Sequence, residues 1–405
     1  MDDGASAKHP HPWLFLALMT PFGASTGYVS VTLAYVLAAK GVSVAAIGAL
    51  VALSILPQTW KVLWAPLVDT TLSPKRWYLI GAVGVGVTIL AMSMIGKPAE
   101  AMPLLSALAV LSSIAASFSG MTADSFLAHF DPRQQGRASG WAQAGNFAGT
   151  GVGGGLGLYL AQHVHAQWVS GAGLGLLCVA CAAVLPLVPA VPRLIRPSVS
   201  ATFLEVLREV WAVVNSRAGL LVIVLMLLPI GSGGIQWSSV ASEWKVSADT
   251  VALTGGVITG VVSAVAALFG GYVCDLIDRR TAYCLFGVLI AVALAITALL
   301  PRTPDVWIGA SVLYQALVAA CYAAYSAVVL EVIGRGAAAT KFNLMASVAN
   351  VPVTIMPWFD GLMHDRHGTN AMFYGEAGLS VAAAVLFAVI VAASGRVLKR
   401  APVSP

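Results

Sequence analysis

Residues 55–69 form an apolar run with one lysine near its middle, Ile55-Leu56-Pro57-Gln58-Thr59-Trp60-Lys61-Val62-Leu63-Trp64-Ala65-Pro66-Leu67-Val68-Asp69. On insertion scales, a lysine at the centre of a membrane helix costs about 2.5–3.5 kcal/mol, so such a residue usually faces a polar interior, a partner charge or a substrate path. The run therefore indicates a membrane helix that borders a polar space.

The composition of the whole chain is that of a membrane protein. Hydrophobic residues make up 59% of its 405 residues, charged residues only 10%, and the mean hydropathy is +0.86. A membrane-spanning helix needs about 20 mostly apolar residues. Twelve segments meet that requirement, at 13–38, 45–67, 77–96, 101–127, 139–163, 166–190, 218–242, 250–274, 281–300, 306–332, 342–363 and 371–395. The sequence predicts an all-α membrane protein of twelve transmembrane helices.

The basic residues predict the orientation, because short cytoplasmic loops carry an excess of Lys and Arg. Of the 22 Lys and Arg residues, 16 fall on the side of the two termini, 5 fall on the other side, and Lys61 lies within a span. We expect both termini to be cytoplasmic and the first span to be retained, as in a multi-pass protein of the bacterial inner membrane. The same loops account for the net charge of +5 and argue against nucleic-acid binding.

The longest cytoplasmic connection divides the spans into six and six. We expect an N-terminal six-helix bundle at 1–190, a linker at 191–217 and a C-terminal six-helix bundle at 218–405. Apolar and charged residues separate on a helical period at 203–211, which favours an amphipathic helix on the inner leaflet, with a solvated linker as the alternative.

The two halves repeat one charge pattern, an acid at the end of a span followed by bases. It occurs after span 2 and again after span 8, at Asp69, Lys75 and Arg76 and at Asp275, Arg279 and Arg280. Twelve spans in two halves with these loops resemble the major facilitator superfamily. The resemblance implies two six-helix bundles and transport by alternating access, with these six residues as conformational latches. Ordinary solvated loop charges are the alternative.

A narrower resemblance covers residues 27–69. Gly41 to Gly48, Leu56-Pro57, Lys61 and the run from Leu63 to Asp69 are similar to the first two spans of the AmpG-type muropeptide permeases and their acetyl-CoA-transporter relatives. Asp124, Gly136-Arg137 and the stretch 339–347 also fit that family. This resemblance implies a bulky amphiphilic solute such as a muropeptide, an acyl-CoA-like molecule or a siderophore.

Lys61 and Asp124 are charges of opposite sign at similar depth. Lys61 lies eight residues before Asp69, about 12 Å along a helix, and Asp124 lies seven residues before Asp131. If spans 2 and 4 are neighbours, as the resemblance implies, the two can pair. The pair is either remade during transport, through protonation of Asp124, or a permanent structural pair.

The resemblance also assigns the pathway to spans 1, 4, 7 and 10, and polar residues of spans 5 and 11 join the candidates. The candidates for substrate contact are aromatic or neutral polar residues, each of which could instead make a hydrogen bond between helices. They are Tyr28, Thr32, Tyr35, Gln143, Asn146, Gln236, Trp237, Tyr314, Gln315, Tyr322, Tyr325 and Asn350. Glycines recur every four residues from Gly145 to Gly157, and we expect this face of span 5 to meet the glycines of span 8.

The sequence contains no phosphate-binding P-loop, nucleophile elbow or spacing typical of a metal site, so we expect neither an enzyme nor a cofactor. The expected function is secondary transport of a small molecule by a monomer in the lipid bilayer, driven by protons. The alternatives are a drug or metabolite efflux carrier of the same fold, a membrane-embedded acyltransferase, and a non-transporting sensor.

Overall fold

The computed structural model describes residues 11–64, 67–68, 71–130, 135–164, 166, 168–188, 204, 208, 211, 215–333 and 338–393. Six long helices form the first half of the chain. They are α1 (Leu14–Ala39), α2 (Val44–Leu63), α3 (Pro74–Ser93), α4 (Met102–Ala128), α5 (Gln135–Gly151, continued by Val152–Leu156 and Gly157–His163) and α6 (Trp168–Leu187).

Six further helices form the second half. They are α7 (Arg217–Leu227, resumed at Trp237–Val240 and Ala241–Trp244), α8 (Ala248–Leu276), α9 (Arg279–Leu299), α10 (Pro304–Ile333), α11 (Ala338–His367) and α12 (Thr369–Ala393). Within the described ranges there is no strand. The predicted fold class is confirmed: the protein is all-α, with twelve transmembrane helices in two six-helix bundles.

Length and composition explain why the individual helices suit a membrane. Nine of the described helices are long and apolar enough to span one. The exceptions are α5, which is rich in glycine, α7, which is interrupted, and α11, which carries charged residues. Two hydrophobic core clusters lie within the first half, and the cluster of the second half also includes Val44 and Leu158 of the first half. The exact bundle limits at 190 and 218 stay a prediction, and most of the 191–217 linker lies outside the described residues.

Successive connections alternate between two faces of the membrane. We call the face at which α1 begins and α12 ends the terminal face, and the other one the far face. The far face holds the connection after each odd-numbered helix, including those from α3 to α4 and from α9 to α10.

Helix α5 uses two different faces of small residues. Gly145, Gly149 and Gly153 lie against the backbone of α1, at distances that leave no room for a Cβ atom. Gly151 and Gly155, on another face, lie against α8 instead. The prediction that the Gly145 face meets α8 is therefore wrong, because the two faces are offset by about two residues. The first face holds the N-terminal bundle together, and the second joins the two halves.

The contact between α5 and α8 loosens toward the terminal face. A Cβ atom built on Gly155 would lie 2.6 Å from the Ala252 carbonyl oxygen, and one on Gly151 would lie 2.7 Å from that of Gly256. On α8, a Cβ at Gly260 would be 3.5 Å from its nearest neighbour, and one at Gly271 would meet nothing within 4 Å. Along α5 and α8, the halves therefore touch toward the far face and separate toward the terminal face.

Candidate functional site

Lys61, Asp124 and Tyr322 come together from three helices in the space between the halves. Lys61 follows Pro57 and begins a 3-10 turn at the end of α2. Asp124 lies near the end of α4 with its side chain exposed, and Tyr322 of α10 is 47% exposed. The Asp124 charge acts on both Lys61 and Tyr322. The two halves thus contribute to one group of polar side chains.

The two charges are neighbours without direct contact. Among the described residues, no hydrogen bond and no ion pair within 4.0 Å joins Lys61 to Asp124, although each is the other's electrostatic partner. Each charge therefore keeps its own hydrogen-bonding capacity. Both are available to a bound solute or, at Asp124, to a proton.

Aromatic rings flank these charges on both halves. Trp60 and Trp64 of α2 have ring centroids 6.4 Å apart, and Trp64 lies at the same distance from Phe118 of α4. Across the space, the rings of Tyr322 and Tyr325 are 5.5 Å apart on α10. Two charges beside aromatic surfaces suit a solute with both an ionic and an apolar part.

Two other predicted pathway residues lie between the halves. Gln143 is exposed on α5, two turns before Gly151 and on the same side of the helix. Asn350 of α11 donates a hydrogen bond of 3.4 Å to the backbone carbonyl of Gln58 on α2. Gln315 is half-buried on α10.

The predicted residues of α1 sit inside helix contacts instead. The Thr32 hydroxyl donates to the carbonyls of Gly153 and Gly154 at 3.0 and 2.9 Å, and Tyr28 is only 2% exposed. Tyr35 is half-buried and lies near Asp249 of α8. On α5, Asn146 is half-buried beside α1. For Thr32, this arrangement matches the alternative of a hydrogen bond between helices.

Two of the predicted latch residues bind backbone carbonyls within their own half. Lys75 Nζ donates to the Val188 carbonyl at 2.8 Å, and Arg279 donates to the Ala327 carbonyl at 3.4 Å. Arg76 and Asp275 are exposed, and Arg280 is buried. Asp69 lies outside the described residues. In this state, the described latch contacts stay inside one bundle.

A direct link between the halves lies at the far face and was not predicted. Asp365, at the end of α11, accepts hydrogen bonds of 3.1 and 3.0 Å from the backbone N–H groups of Val44 and Ala45. Those groups belong to the free N-terminus of α2, which favours a negative charge. His163 and Asp249 form a second link, 3.6 Å apart at the ends of α5 and α8.

Asp365 belongs to a small charge cluster at the far face. His364 contacts Asp365 at 3.2 Å and Glu243 at 2.6 Å, and Glu243 also binds Arg302 and Thr369. We call Glu243, Arg302, His364 and Asp365 the far-face cluster. It ties the end of α7 to the end of α11.

His364, Glu243 and Asp365 lie outside the apolar spans, and the cluster shifts the pKa of each of them. Burial alone would lower the pKa of His364, but hydrogen bonds and charges from Glu243 and Asp365 outweigh it and raise that pKa. Burial alone would raise the pKa of Glu243 and of Asp365. Interactions with His364 lower the pKa of Glu243 instead. The Ala45 N–H and His364 lower the pKa of Asp365. The cluster therefore favours a charged histidine between two charged carboxylates.

Two further acids lie buried inside the C-terminal bundle, and sequence reasoning missed both. Asp360 of α11 and Glu376 of α12 are each 1% exposed, and their carboxyl groups face each other. The Tyr314 hydroxyl of α10 donates to Glu376 Oε1 at 2.6 Å and accepts from the Ile235 N–H at 3.2 Å. Tyr314, predicted to line the pathway, instead belongs to this buried group.

The interruption of α7 covers the buried acids. Residues 228–236 are not helical, and Gly231 and Gly233 adopt positive φ angles of 64° and 71°. Gly234 faces Asp360 so closely that a Cβ atom there would overlap Oδ2. The sequence predicted one continuous span here. Pro229 and three glycines break it, because glycine alone adopts such backbone angles freely.

The neighbouring candidates Gln236 and Trp237 belong to the same region. Gln236 donates to the Gly234 carbonyl at 3.0 Å, which stabilises the turn after the interruption. Trp237 is 6% exposed and packs on Trp307, Tyr314 and Phe373. The short helix that begins at Trp237 also packs against the end of α1, in the other half.

Comparison with known proteins places these features in a family. The sequence matches the family described as Major Facilitator Superfamily over residues 14–239 and 230–404. A comparison with curated protein sequences gives no match.

Solved structures of similar fold cover nearly the whole chain. One is a partially occluded inward-open conformation of the xylose transporter XylE from E. coli, with 15% identity and a TM-score of 0.72 over 96% of this chain and 100% of that one. A structure titled as a D-xylose-proton symporter gives 16% identity and a TM-score of 0.70 over 93% and 96%. The nucleoside transporter NupG (D323A mutant) gives 17% and 0.71 over 93% and 98%.

Proposed function

Because the chain belongs to the major facilitator superfamily, we propose that it is a proton-driven secondary carrier that moves a bulky amphiphilic solute by alternating access. The solute class follows the sequence resemblance and comprises muropeptides, acyl-CoA-like molecules and siderophores. All three combine anionic groups with a large apolar or sugar part.

The main support for this proposal is that Lys61 and Asp124 lie beside aromatic rings without forming an ion pair with each other. In our proposal, Lys61 binds an anionic group of the solute, since an ammonium group is a compact donor of three hydrogen bonds. Trp60, Trp64 and Tyr322 contact the rest of the solute. Asp124 faces both Lys61 and Tyr322, so its charge state changes how strongly the two halves attract the solute.

The contacts between the halves support the transport cycle. The halves meet at the far face through Asp365 and through the glycine contact of α5 with α8, and they separate toward the terminal face. The solute would reach Lys61 from the terminal face in this state. Reorientation would break the far-face contacts and close the terminal face, as alternating access requires.

Uptake into proteoliposomes tests the proposed function. The purified full-length protein is supplied with a muropeptide, a long-chain acyl-CoA or a ferric siderophore, with and without an imposed pH gradient. We expect one probe to accumulate only with the gradient. Lys61→Met should abolish accumulation, and Lys97→Met, the same change in an exposed loop, should leave it unchanged. Equal uptake by the Lys61→Met variant, or no accumulation of any probe, would contradict the proposal.

The orientation in the bacterial inner membrane, with the terminal face in the cytoplasm, belongs to the same proposal. An impermeant thiol reagent added to whole cells should label Lys97→Cys and Arg366→Cys at the far face. It should leave Arg76→Cys, which is exposed at the terminal face, unlabelled. The reverse pattern would show that the orientation is inverted.

A further inference from the structure

The carboxyl groups of Asp360 and Glu376 raise a problem of chemistry, because an ionised carboxylate can only accept hydrogen bonds. The two groups lie next to each other inside the bundle. Such a contact is favourable only when one of them carries a proton. Burial strengthens this argument, since an unpaired charge costs several kcal/mol when it leaves water.

The surroundings offer few other ways to satisfy the pair. Glu376 accepts a hydrogen bond from the Tyr314 hydroxyl and faces the backbone N–H groups of Gly234 and Ile235. Both oxygens of Asp360 and Oε2 of Glu376 have no protein donor among the described residues. These three buried oxygen atoms point to a ligand that is small and positive.

Within the part of the chain that the structure describes, no basic side chain supplies that positive charge. The titratable groups that act on the pair are the two acids themselves and Tyr314 of α10. Where α2 lies closest to α11, its residue is Gly48, and where α9 lies closest to α12, its residue is Gly287. The interruption of α7 contributes no acidic or basic residue.

We propose that Asp360 and Glu376 form a proton-binding site of this carrier, with one proton shared between the two carboxyl groups and exchanged through the far face. The proposal rests on the proposed function, to which it adds a site for the driving ion. The site is separate from Lys61 and Asp124, which lie in the space between the halves.

The path to the far face follows α11. His364 is one turn beyond Asp360, and Asp365 is the next residue. These two residues make the hydrogen bonds that join α11 to Glu243 and to the N-terminus of α2. When those bonds break, the end of α11 is released, and the interruption of α7 is the remaining cover over Asp360. Opening of the far face would therefore admit water, and with it protons, to the pair.

Infrared spectroscopy of the full-length protein in lipid tests the proposal without knowledge of the solute. The probe is the proton itself, detected by the carbonyl-stretch band of protonated carboxylic acids. We expect a band that shifts in heavy water, disappears as the pH is raised, changes its position or its pH dependence in Asp360→Asn and in Glu376→Gln, and is absent from the double variant. Asp305→Asn, the same change at an exposed position on α10, should keep the band.

Several outcomes would overturn the proposal. A band that survives in the double variant belongs to another acid, and Asp124→Asn then tests that residue. A band that neither titrates nor exchanges in heavy water would identify a sealed structural proton. Loss of the band on addition of sodium at constant pH would identify a metal-cation site. Glu376→Gln keeps the acceptor for Tyr314, so it remains informative if Asp360→Asn fails to fold.

The proposed function and this site fail in distinguishable ways. If the Glu376→Gln variant still accumulates solute in response to a pH gradient, the proton-binding site is contradicted and the proposed carrier function is supported. A carboxylic-acid band that titrates as expected, in a protein that accumulates none of the solutes, would support the proton-binding site and contradict the proposed carrier function.

Discussion

Asp365 at the end of α11 caps the N-terminus of α2 by accepting the Val44 N–H at 3.1 Å, so one carboxylate of the C-terminal half terminates a helix of the N-terminal half. Caps of this kind usually lie within one bundle, as Asp278 does at the start of α9. The Asp365 cap exists only while the halves touch at the far face. It therefore adds its full strength to one conformational state.

Replacement of Asp365 by Asn should shift the protein toward a state that is open at the far face. Loss of the charged cap should cost about 1 kcal/mol, which is about a fivefold change in the balance of states. Spin labels at Lys40→Cys and Lys245→Cys, one exposed site on each half, measure the separation. Asp278→Asn removes a cap inside one half and should leave the distance distribution unchanged. Identical distributions for wild type and Asp365→Asn would show that the cap does not hold the halves together.

The interactions of the far-face cluster should weaken at both acid and alkaline pH. Because the pKa of His364 is raised above 6.5, its charge contributes fully below that value and is lost as the pH rises through the raised pKa. Because the pKa values of Glu243 and Asp365 are lowered, their contribution is present above the usual carboxylate range and is lost as the pH falls through the lowered values. The same spin-label distances should lengthen at alkaline pH. His364→Gln should remove the alkaline transition but leave the acid one.

Lys61 and Asp124 should show only weak coupling in a double-mutant cycle. Since no ion pair within 4.0 Å joins them among the described residues, we expect a coupling energy below about 1 kcal/mol. A buried contact pair would give a loss of about 3–5 kcal/mol when one partner is removed. The measurement is thermal unfolding of Lys61→Met, Asp124→Leu and the double variant in one detergent. A strongly stabilising coupling would identify a structural pair and weaken the case that Lys61 binds solute.

Single alanine substitutions should separate the tight and loose parts of the contact between α5 and α8. Gly151→Ala places a Cβ atom 2.7 Å from the Gly256 carbonyl oxygen, so the two backbones must move apart, at a cost of about 1–3 kcal/mol. Gly271→Ala meets nothing within 4 Å and should stabilise the helix by up to about 1 kcal/mol. Thermal unfolding of the two variants gives the comparison. Equal effects would mean that the halves do not pack through Gly151.

The sequence predicted the twelve helices well, because apolar length decides membrane insertion before any tertiary contact forms. It failed where a contact depends on distant parts of the chain. The hydrogen bonds of Asp365 join residues more than 300 positions apart, and no local pattern reports such a pair. The two glycine faces of α5 also could not be assigned to partners, since both have the spacing that allows close packing.

The buried acids could have been found from the sequence. Glu376 lies between Gly375 and Ala377 in an apolar helix, and Asp360 follows Trp358-Phe359 in the helix before it. This is the same signal that identified Lys61, a charge within a membrane span. The break in α7 had a signal as well, since Pro229 is followed by three glycines within five residues. A count of span length alone does not use either signal.

In the proposed proton-binding site, the position of Asp360 implies a defined response to membrane voltage. It lies four residues, or about 6 Å of helix, inside His364 at the far face. A proton that arrives from that face crosses about one fifth of a hydrocarbon core about 30 Å thick. Its binding should therefore change by only about 0.5 kcal/mol per 100 mV, from the full value of about 2.3 kcal/mol for a complete crossing. Most of the electrical work falls on the proton's release to the terminal face.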